Sequence, residues 1–310
     1  MHAITQHSFG GPEVLELTDV DRPQPLPSEV LVRVRAAGVN PVDAMVRSGA
    51  FPLLGEPPFV LGWDISGVVE EVVPGVTRFD VGDEVYGMPF FPRPGNAFAE
   101  YVAVPSRQLA RKPRALDHAH AAALPLAGLT AWQSIVDAGE VQAGQRVLIH
   151  GGGGGVGHLA VQIAKARGAH VIATASGAKH DFVRALGADE VIDYRTVDFT
   201  DAVTDADLVL DTVGGDYGRR SLRALRPGGL LVTVVDRADT ELRQAAIEAG
   251  RRFAGVTVEP DHVGLQDMAE LVDTGKLRPY VEHTLPLTDA AKAHHLIESG
   301  RTRGKIVLTL

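Results

Sequence analysis

The run Val147-Leu148-Ile149-His150-Gly151-Gly152-Gly153-Gly154-Gly155-Val156-Gly157 decides the fold. An apolar strand enters a glycine loop, and the loop enters a helical pattern that continues to Gly168. That order suits a phosphate site, because loop amides and a helix N-terminus both aim partial positive charge at an anion. Glycines permit the tight turn, the close approach of a pyrophosphate and close helix–strand packing. Gly152, Gly154 and Gly157 satisfy G-x-G-x-x-G, while Gly151, Gly154 and Gly157 satisfy G-x-x-G-x-x-G. Glycine matches every position of a glycine run, so the register stays open. Gly152, Gly154, Gly155, Val156 and Gly157 are the candidate phosphate contacts.

Around this run, strand-like and helix-like segments alternate. Strands are expected at residues 146–150, 169–174, 190–193, 208–212, 230–235 and 254–258. Between the first two, Leu159 and Ile163, with Ala160 and Ala164, recur at helical spacing. Six strands alternating with helices predict a doubly wound parallel sheet, a nucleotide-binding architecture. Upstream the texture differs. Residues 29–36, 65–70 and 100–104 alternate with period two between Pro- and Gly-rich turns, which predicts a compact, mostly β domain. Residues 119–138 read as helical, interrupted around Pro125 and Gly128. Near the C-terminus, helices are expected at 265–274 and 289–298, closed by Gly275 and Gly300, with Thr288 as N-cap of the second. A final strand at 305–310 cannot extend a parallel sheet without a long crossover, so it is expected to return to the first domain. The predicted organisation is a discontinuous domain, residues 1–117 and 259–310, with a dinucleotide-binding domain, 118–258, inserted.

The chain has 310 residues, enough for two ordinary cores, with 45% hydrophobic and 22% charged residues. A net charge of −9 disfavours nucleic acid and anionic membranes as general partners. No apolar run reaches the ~18 residues of a membrane span. The start, Met1-His2-Ala3-Ile4-Thr5, lacks a signal-peptide pattern, so the expected location is cytoplasmic. There are no cysteines, which excludes disulfides, thiolate metal ligands and a Cys nucleophile.

Cofactor choice is read at the end of the second strand of the sheet, where an acid would bond the ribose 2′-OH of NAD. That segment is Ala173-Thr174-Ala175-Ser176-Gly177-Ala178-Lys179, and no Asp or Glu occurs between His158 and His180. A hydroxyl and an ammonium there suit a 2′-phosphate, so NADP(H) is expected over NAD(H), and FAD is disfavoured. The plainer reading of Lys179 is a solvated helix residue.

With these residues in view, the chain resembles the medium-chain dehydrogenase/reductase superfamily, in its zinc-free quinone oxidoreductase branch (zeta-crystallin-like). The resemblance spans nearly the whole chain. Its motifs are Ala37-Gly38-Val39-Asn40-Pro41-Val42-Asp43 with Arg47-Ser48-Gly49, Pro58 to Gly67, Phe79 to Gly87 and Gly95 to Tyr101. Leu124 to Ala131, the glycine loop, Leu186-Gly187-Ala188-Asp189 and Gly304-Lys305-Ile306-Val307-Leu308 follow in order. Each motif is weak alone, and the ordered set is specific. The resemblance implies a GroES-like catalytic domain, an inserted Rossmann domain and a cofactor between them. Zinc-dependent relatives carry Cys where Asn40 stands and His where Trp63 stands. Asp64 alone is no metal site, because a catalytic zinc needs three protein ligands, so a metal-free mechanism is expected.

The resemblance further implies roles. Asn40 would touch the nicotinamide end, and Thr130 would approach the nicotinamide or its ribose. Ser176, Lys179 and Tyr194 would surround the 2′-phosphate. Val213, Gly214, Thr233, Val234 and Val235 would offer backbone contacts along the cofactor. Asn40 and Asp43 are the catalytic candidates, although Asn40 before Pro41 also reads as a turn former, and Asp43 with Arg47 as a helix-surface ion pair. Met45 stands where several quinone reductases carry Tyr, and Met donates no proton, so no general acid is identified. Val235-Asp236-Arg237 departs from the small residue usual after strand five. Phe51, Phe59, Trp63, Phe90 and Phe91 line either an apolar substrate cleft or satellite core. The expected activity is hydride transfer from NADPH to a small, apolar, electron-poor acceptor, a quinone or α,β-unsaturated carbonyl. An enoyl-thioester reductase and a catalytically lapsed NADPH-binding protein are the alternatives. A homodimer is expected through the sheet edge near residues 254–258.

Overall fold

The computed structural model describes all 310 residues and divides into two compact units. Unit 1 comprises residues 1–129, 259–274 and 279–310, and unit 2 comprises residues 130–258 and 275–278. Residues 118–129, expected in the inserted domain, pack instead in unit 1. The helix α2 (His118–Ala122) and the start of α3 (Pro125–Trp132) follow the strands of that unit.

Unit 1 is mostly β. Its first eight strands are β1 (His2–Gln6), β2 (Glu16–Asp19), β3 (Glu29–Val39), β4 (Phe59–Val60), β5 (Asp64–Val72), β6 (Glu84–Gly87), β7 (Tyr101–Pro105) and β8 (Leu109–Arg111). The return segment adds β15 (Val281–Pro286) and β16 (Lys305–Thr309). A small sheet has the order β2-β1-β4, and the main sheet the order β15-β16-β3-β5-β6-β8, with β7 also on β3. The eleven-residue β3 organises the unit. Its first half, Glu29 to Arg33, pairs with β7, and its last four residues, Ala36 to Val39, pair antiparallel with β16. Register shifts at Leu31/Val32 and Val34/Ala36 bend the strand and permit this change of partner. Valines 30, 32 and 34 of β3 close a core with Ile65, Phe79, Val85, Val104 and Leu109. Three further helices belong to the unit: α1 (Pro41–Arg47), α9 (His262–Asp273) and α10 (Ala290–Glu298). Asp261 caps α9 through the Val263 and Gly264 amides. Thr288 is not the cap of α10. A 3₁₀ turn over Leu287–Asp289 takes up the chain first and leaves Asp289 at the cap position.

Unit 2 is a parallel sheet of β9 (Arg146–Ile149), β10 (His170–Ala175), β11 (Glu190–Asp193), β12 (Ala206–Asp211), β13 (Leu225–Thr233) and β14 (Arg252–Gly255). All five pairings are parallel, in the order β11-β10-β9-β12-β13-β14. Counted within the unit this is 3-2-1-4-5-6, the Rossmann order, in which the sequence order of the parallel strands reverses between β9 and β12. Helices α4 (Gly157–Ala166), α5 (His180–Ala185), α6 (Phe199–Ala202), α7 (Asp216–Ala224) and α8 (Thr240–Glu248) connect the strands. The core joins Leu148, Ile172, Val209 and Leu231 of the strands to Phe199, Leu222 and Leu242 of the helices.

Candidate active site

The glycine loop leaves β9 at the switch point of unit 2. Gly151 takes φ +66°, the left-handed region that favours glycine. A Cβ on Gly157 would stand 2.2 Å from the Gly151 carbonyl, and one on Gly152 would stand 2.8 Å from Ala173 Cβ. At Gly154 the nearest atom would be 3.2 Å away. Gly151, Gly152 and Gly157 are therefore the positions where the backbone demands glycine. His158 N–H bonds Gly154 O and Ala160 N–H bonds Val156 O, so α4 begins directly on the loop. The amides just before them precede any helical acceptor and carry the positive end of the helix dipole. A dinucleotide's pyrophosphate fits this cradle, which a side chain would fill.

A polar chain beneath the loop fixes it, and sequence reading missed it. Gly152 N–H bonds Thr174 O (2.9 Å), and Gly151 N–H bonds Thr174 Oγ1 (3.2 Å). Ser221 Oγ donates to Tyr217 O (2.7 Å), so it accepts from His150 Nε2 (2.9 Å). Thr174 Oγ1 then donates to His150 Nδ1 (3.2 Å). These roles require a neutral imidazole with its proton on Nε2. Burial and nearby Arg220 push its pKa down to about 3, in agreement. Phe199 and Tyr217 sit edge-on to the ring.

At the ends of β10 and β11 the structure gathers the three residues expected at a 2′-phosphate. Ala175 and Asp193 are register partners, so Ser176 and Tyr194 follow on neighbouring strands. Ser176 O accepts from Lys179 N–H (2.8 Å), closing a turn that lays the Lys179 stem over the loop, with Cδ 2.9 Å from a Gly153 Cβ position. Two neighbours went unread in sequence. Arg195 places its guanidinium 5.8 Å from the Tyr194 ring centroid. Asp193 lays a carboxylate oxygen 2.9 Å from a Gly177 Cβ position, an acid contributed by β11 rather than by β10.

The later strand ends are built by carboxylates. Asp211 Oδ1 accepts from Val213 N–H (2.9 Å) and Gly214 N–H (3.0 Å), and burial raises its pKa. Thr233 Oγ1 accepts from Val235 and Asp236 N–H, and Asp236 accepts from Gly215 N–H (2.8 Å). Val213 and Val235 are exposed, Val234 is half-buried, and Thr130 is buried on α3. Val235 Cγ1 lies 2.6 Å from a Gly214 Cβ position, so the bulkier residue after β13 packs on the turn after β12.

Asn40 and Asp43 lie in unit 1, at the junction of β3 and α1. Asn40 is 1% exposed, Asp43 and Asp64 0%, and Lys305 3%. Asp43 Oδ2 accepts Asn40 N–H (2.6 Å), capping α1. Asn40 Nδ2 donates to Asp64 Oδ2 (2.8 Å), Leu126 N–H donates to Asp64 Oδ1 (2.7 Å), and Lys305 Nζ donates to Asn40 Oδ1. Lys305 Nζ also lies 3.4 Å from Asp64 Oδ2. Burial pushes Asp43 up to about 8, opposed first by the Asn40 N–H. Burial raises Asp64 too, with Lys305 opposing it.

Two expectations for this unit are corrected. Asp43 and Arg47 do not form a surface ion pair. Arg47 is buried and holds Glu298 (2.6 Å), His294 Nδ1 (3.3 Å) and Gly10 O (3.1 Å), which ties α1 to α10. Trp63 lines no open cleft. It is fully buried, donates Nε1–H to Arg93 O (2.7 Å) and packs edge-on to Phe91. Phe51, Phe59, Phe90 and Phe91 are half-buried.

Comparison with known proteins places this geometry. Residues 26–114 match the alcohol dehydrogenase GroES-like domain, and residues 186–308 match a zinc-binding dehydrogenase domain. The mouse (Mus musculus) mitochondrial NAD(P)H oxidoreductase RTN4IP1 is 35% identical over all of this chain and 89% of its own. The chloroplastic NADPH-dependent alkenal/one oxidoreductase of Arabidopsis thaliana is 36% identical, covering 99% of this chain and 79% of its own. The quinone oxidoreductase structure from Coxiella burnetii superposes with a TM-score of 0.94 at 39% identity, covering 100% of this chain and 99% of its own. The chain belongs to the quinone oxidoreductase branch of the medium-chain dehydrogenase/reductase superfamily. Within that superfamily, a zinc site does not fit the residues at the positions named above. Asn40 and Trp63 replace two ligands, both oxygens of Asp64 are engaged by unit 1 donors, and no group of three His, Cys, Asp or Glu side chains could hold an ion. No helix of this quinone oxidoreductase relative is long and apolar enough to cross a membrane.

Proposed function

We propose that this protein is a zinc-independent, NADPH-dependent reductase that passes hydride to a quinone or an α,β-unsaturated carbonyl. The observation that carries the reading is the glycine cradle of unit 2 with the Lys179 stem laid across it. The relatives named for NAD(P)H and NADPH chemistry support a nicotinamide cofactor and an oxidoreductase activity. Those named for quinone and alkenal substrates support a small conjugated acceptor.

When bound, the reduced nicotinamide supplies the hydride. The loop amides from Gly155 to Gly157 and the α4 dipole would hold the pyrophosphate, since the Gly154 N–H is already spent on Gly151 O. The Lys179 ammonium and Ser176 hydroxyl would hold the 2′-phosphate, with Tyr194 beside them. The backbone at Val213-Gly214 and Thr233 to Val235 would follow the cofactor along the strand ends of unit 2, with Thr130 towards its nicotinamide end; Asn40, in unit 1, is the catalytic candidate. Burial pushes the Asp43 pKa up to about 8, which disfavours a second negative charge in the buried cluster around Asn40. A conjugated acceptor spreads the incoming charge over carbonyl and alkene, so a metal is not needed to polarise it.

The test follows NADPH absorbance in chelator-dialysed protein with a panel of quinones, 2-alkenals, enones and crotonyl-CoA. Turnover of quinones or enones after chelation is the expected result. Turnover of crotonyl-CoA alone would reassign the protein as an enoyl-thioester reductase. NADPH binding without turnover of any acceptor would make it a cofactor-binding protein.

A further inference from the structure

We propose that Lys305 is a positioning residue: with Asp64 it fixes which way the Asn40 side-chain amide faces. The two ends of an Asn amide have nearly the same shape, so packing alone does not choose between the two orientations. Charge chooses here. An ammonium offers only donors, so Lys305 Nζ meets the Oδ1 end. An ionised carboxylate offers only acceptors, so Asp64 Oδ2 meets the Nδ2 end at 2.8 Å. A flipped amide would set N–H against ammonium and oxygen against carboxylate. Asn40 keeps one Nδ2 N–H for any other partner, in a fixed direction.

The surrounding backbone is shaped for this contact. The β16–β3 register pairs Ile306 with Val39, which brings Lys305 to the end of β3 beside Asn40. Gly304 enters β16 at φ +58°, and a Cβ there would stand 2.2 Å from Tyr280 O, so the strand can start in this place only with glycine. Gly38 does the same for the acid. A Cβ there would stand 2.8 Å from Asp64 Oδ2 and 2.4 Å from Ala122 O. Asp64 is held from its other oxygen by Leu126 N–H (2.7 Å). A buried ion pair is weak support for stability on its own, because desolvation offsets its attraction. Orientation of a polar neighbour is the property it supplies best.

What the held amide is for rests on the reductase reading, whereas the holding itself lies within unit 1 and can be read without turnover. The experiment combines Lys305→Met with Asn40→Ala in a double-mutant cycle and follows the Asn40 side-chain amide by nitrogen NMR in the cofactor-free protein. In wild type its N–H pair is expected to be protected from solvent exchange, and Lys305→Met is expected to remove that protection. Unchanged protection would overturn the proposal whatever the activity. In turnover, Lys305→Met should lower kcat about tenfold or more, as loss of a charged hydrogen bond does, while leaving the NADPH Kd within about twofold. In the Asn40→Ala background the same change should cost less than about twofold. Equal losses in both backgrounds would show a structural role only and overturn the proposal. If Lys305→Met does not fold, Asp64→Asn keeps the volume and removes the acceptor-only end. It should loosen the same amide, and a still-protected amide there would also overturn the proposal. Wild-type protein with a protected amide and no turnover would refute the reductase reading alone.

Discussion

At the residue scale, the glycine run shows what one sequence can and cannot say. Strand, loop and helix were legible because apolar residues and glycines follow one another in a fixed order. The register was not, since every glycine matches every template position. Neighbouring backbone resolves it: Gly157 faces the Gly151 carbonyl and Gly152 faces Ala173, whereas Gly154 has room. Gly157→Ala should therefore abolish NADPH binding and lower stability by roughly 1–3 kcal/mol, the range for forced overpacking. Gly154→Ala should be milder, and isothermal titration beside thermal melts would rank them. Lys179 was legible as a cation in the right segment, but its place over Gly153 was not. Lys179→Ala should weaken NADPH about tenfold to a hundredfold, the worth of a charged hydrogen bond, and barely affect NADH. Equal loss for both cofactors in fluorescence titrations would contradict the 2′-phosphate assignment.

At the element scale, α1 was only half legible. Asn40 before Pro41 reads as a turn former, and in the structure the pair caps and opens the helix. The fates of Asp43 and Arg47 do not read from the sequence, because their neighbours come from distant positions: Lys305 faces the α1 N-terminus from β16, and Glu298 and His294 face Arg47 from α10. Spacing alone allowed an exposed pair, whereas both residues are buried and bound to other partners. The consequence is a pH signature. Asp43 is protonated in the native state up to about pH 8 and, unfolded, only up to about 3.8. The native state thus binds the extra proton between these values, and this contribution to stability is lost as pH rises through them. His150 and His294, pushed down to about 3 and about 4 by burial, act in the opposite sense below their usual 6.5. Asp43→Asn should flatten the alkaline fall in melting temperature between about pH 6.5 and 8, where the histidines are silent. A fall as steep as wild type's would contradict the raised Asp43.

At the scale of the whole molecule, alternation of strands and helices made the Rossmann sheet legible, and the ordered motifs made the GroES-like fold so. The place of residues 118–129 was not legible, since a helical pattern does not say which sheet it packs on. In unit 1, Gly38 leaves the space that the Ala122 carbonyl of α2 occupies beside Asp64. The sheet of unit 2 ends in β14, whose outer side has no strand partner within the chain. We propose that a second copy pairs there. Light scattering should give twice the chain mass of 32.9 kDa, and Ala254→Lys on that edge should shift it towards one. A wild-type protein of single-chain mass at micromolar concentration would contradict this. The central claim is hydride transfer to a conjugated acceptor, and isotope tracing tests it most directly. Incubated with NADPH deuterated at the transferable C4 position and a 2-alkenal, the protein should deliver deuterium to the β-carbon of the saturated product. Bound NADPH that keeps all its deuterium, with the alkenal unchanged, would contradict the account.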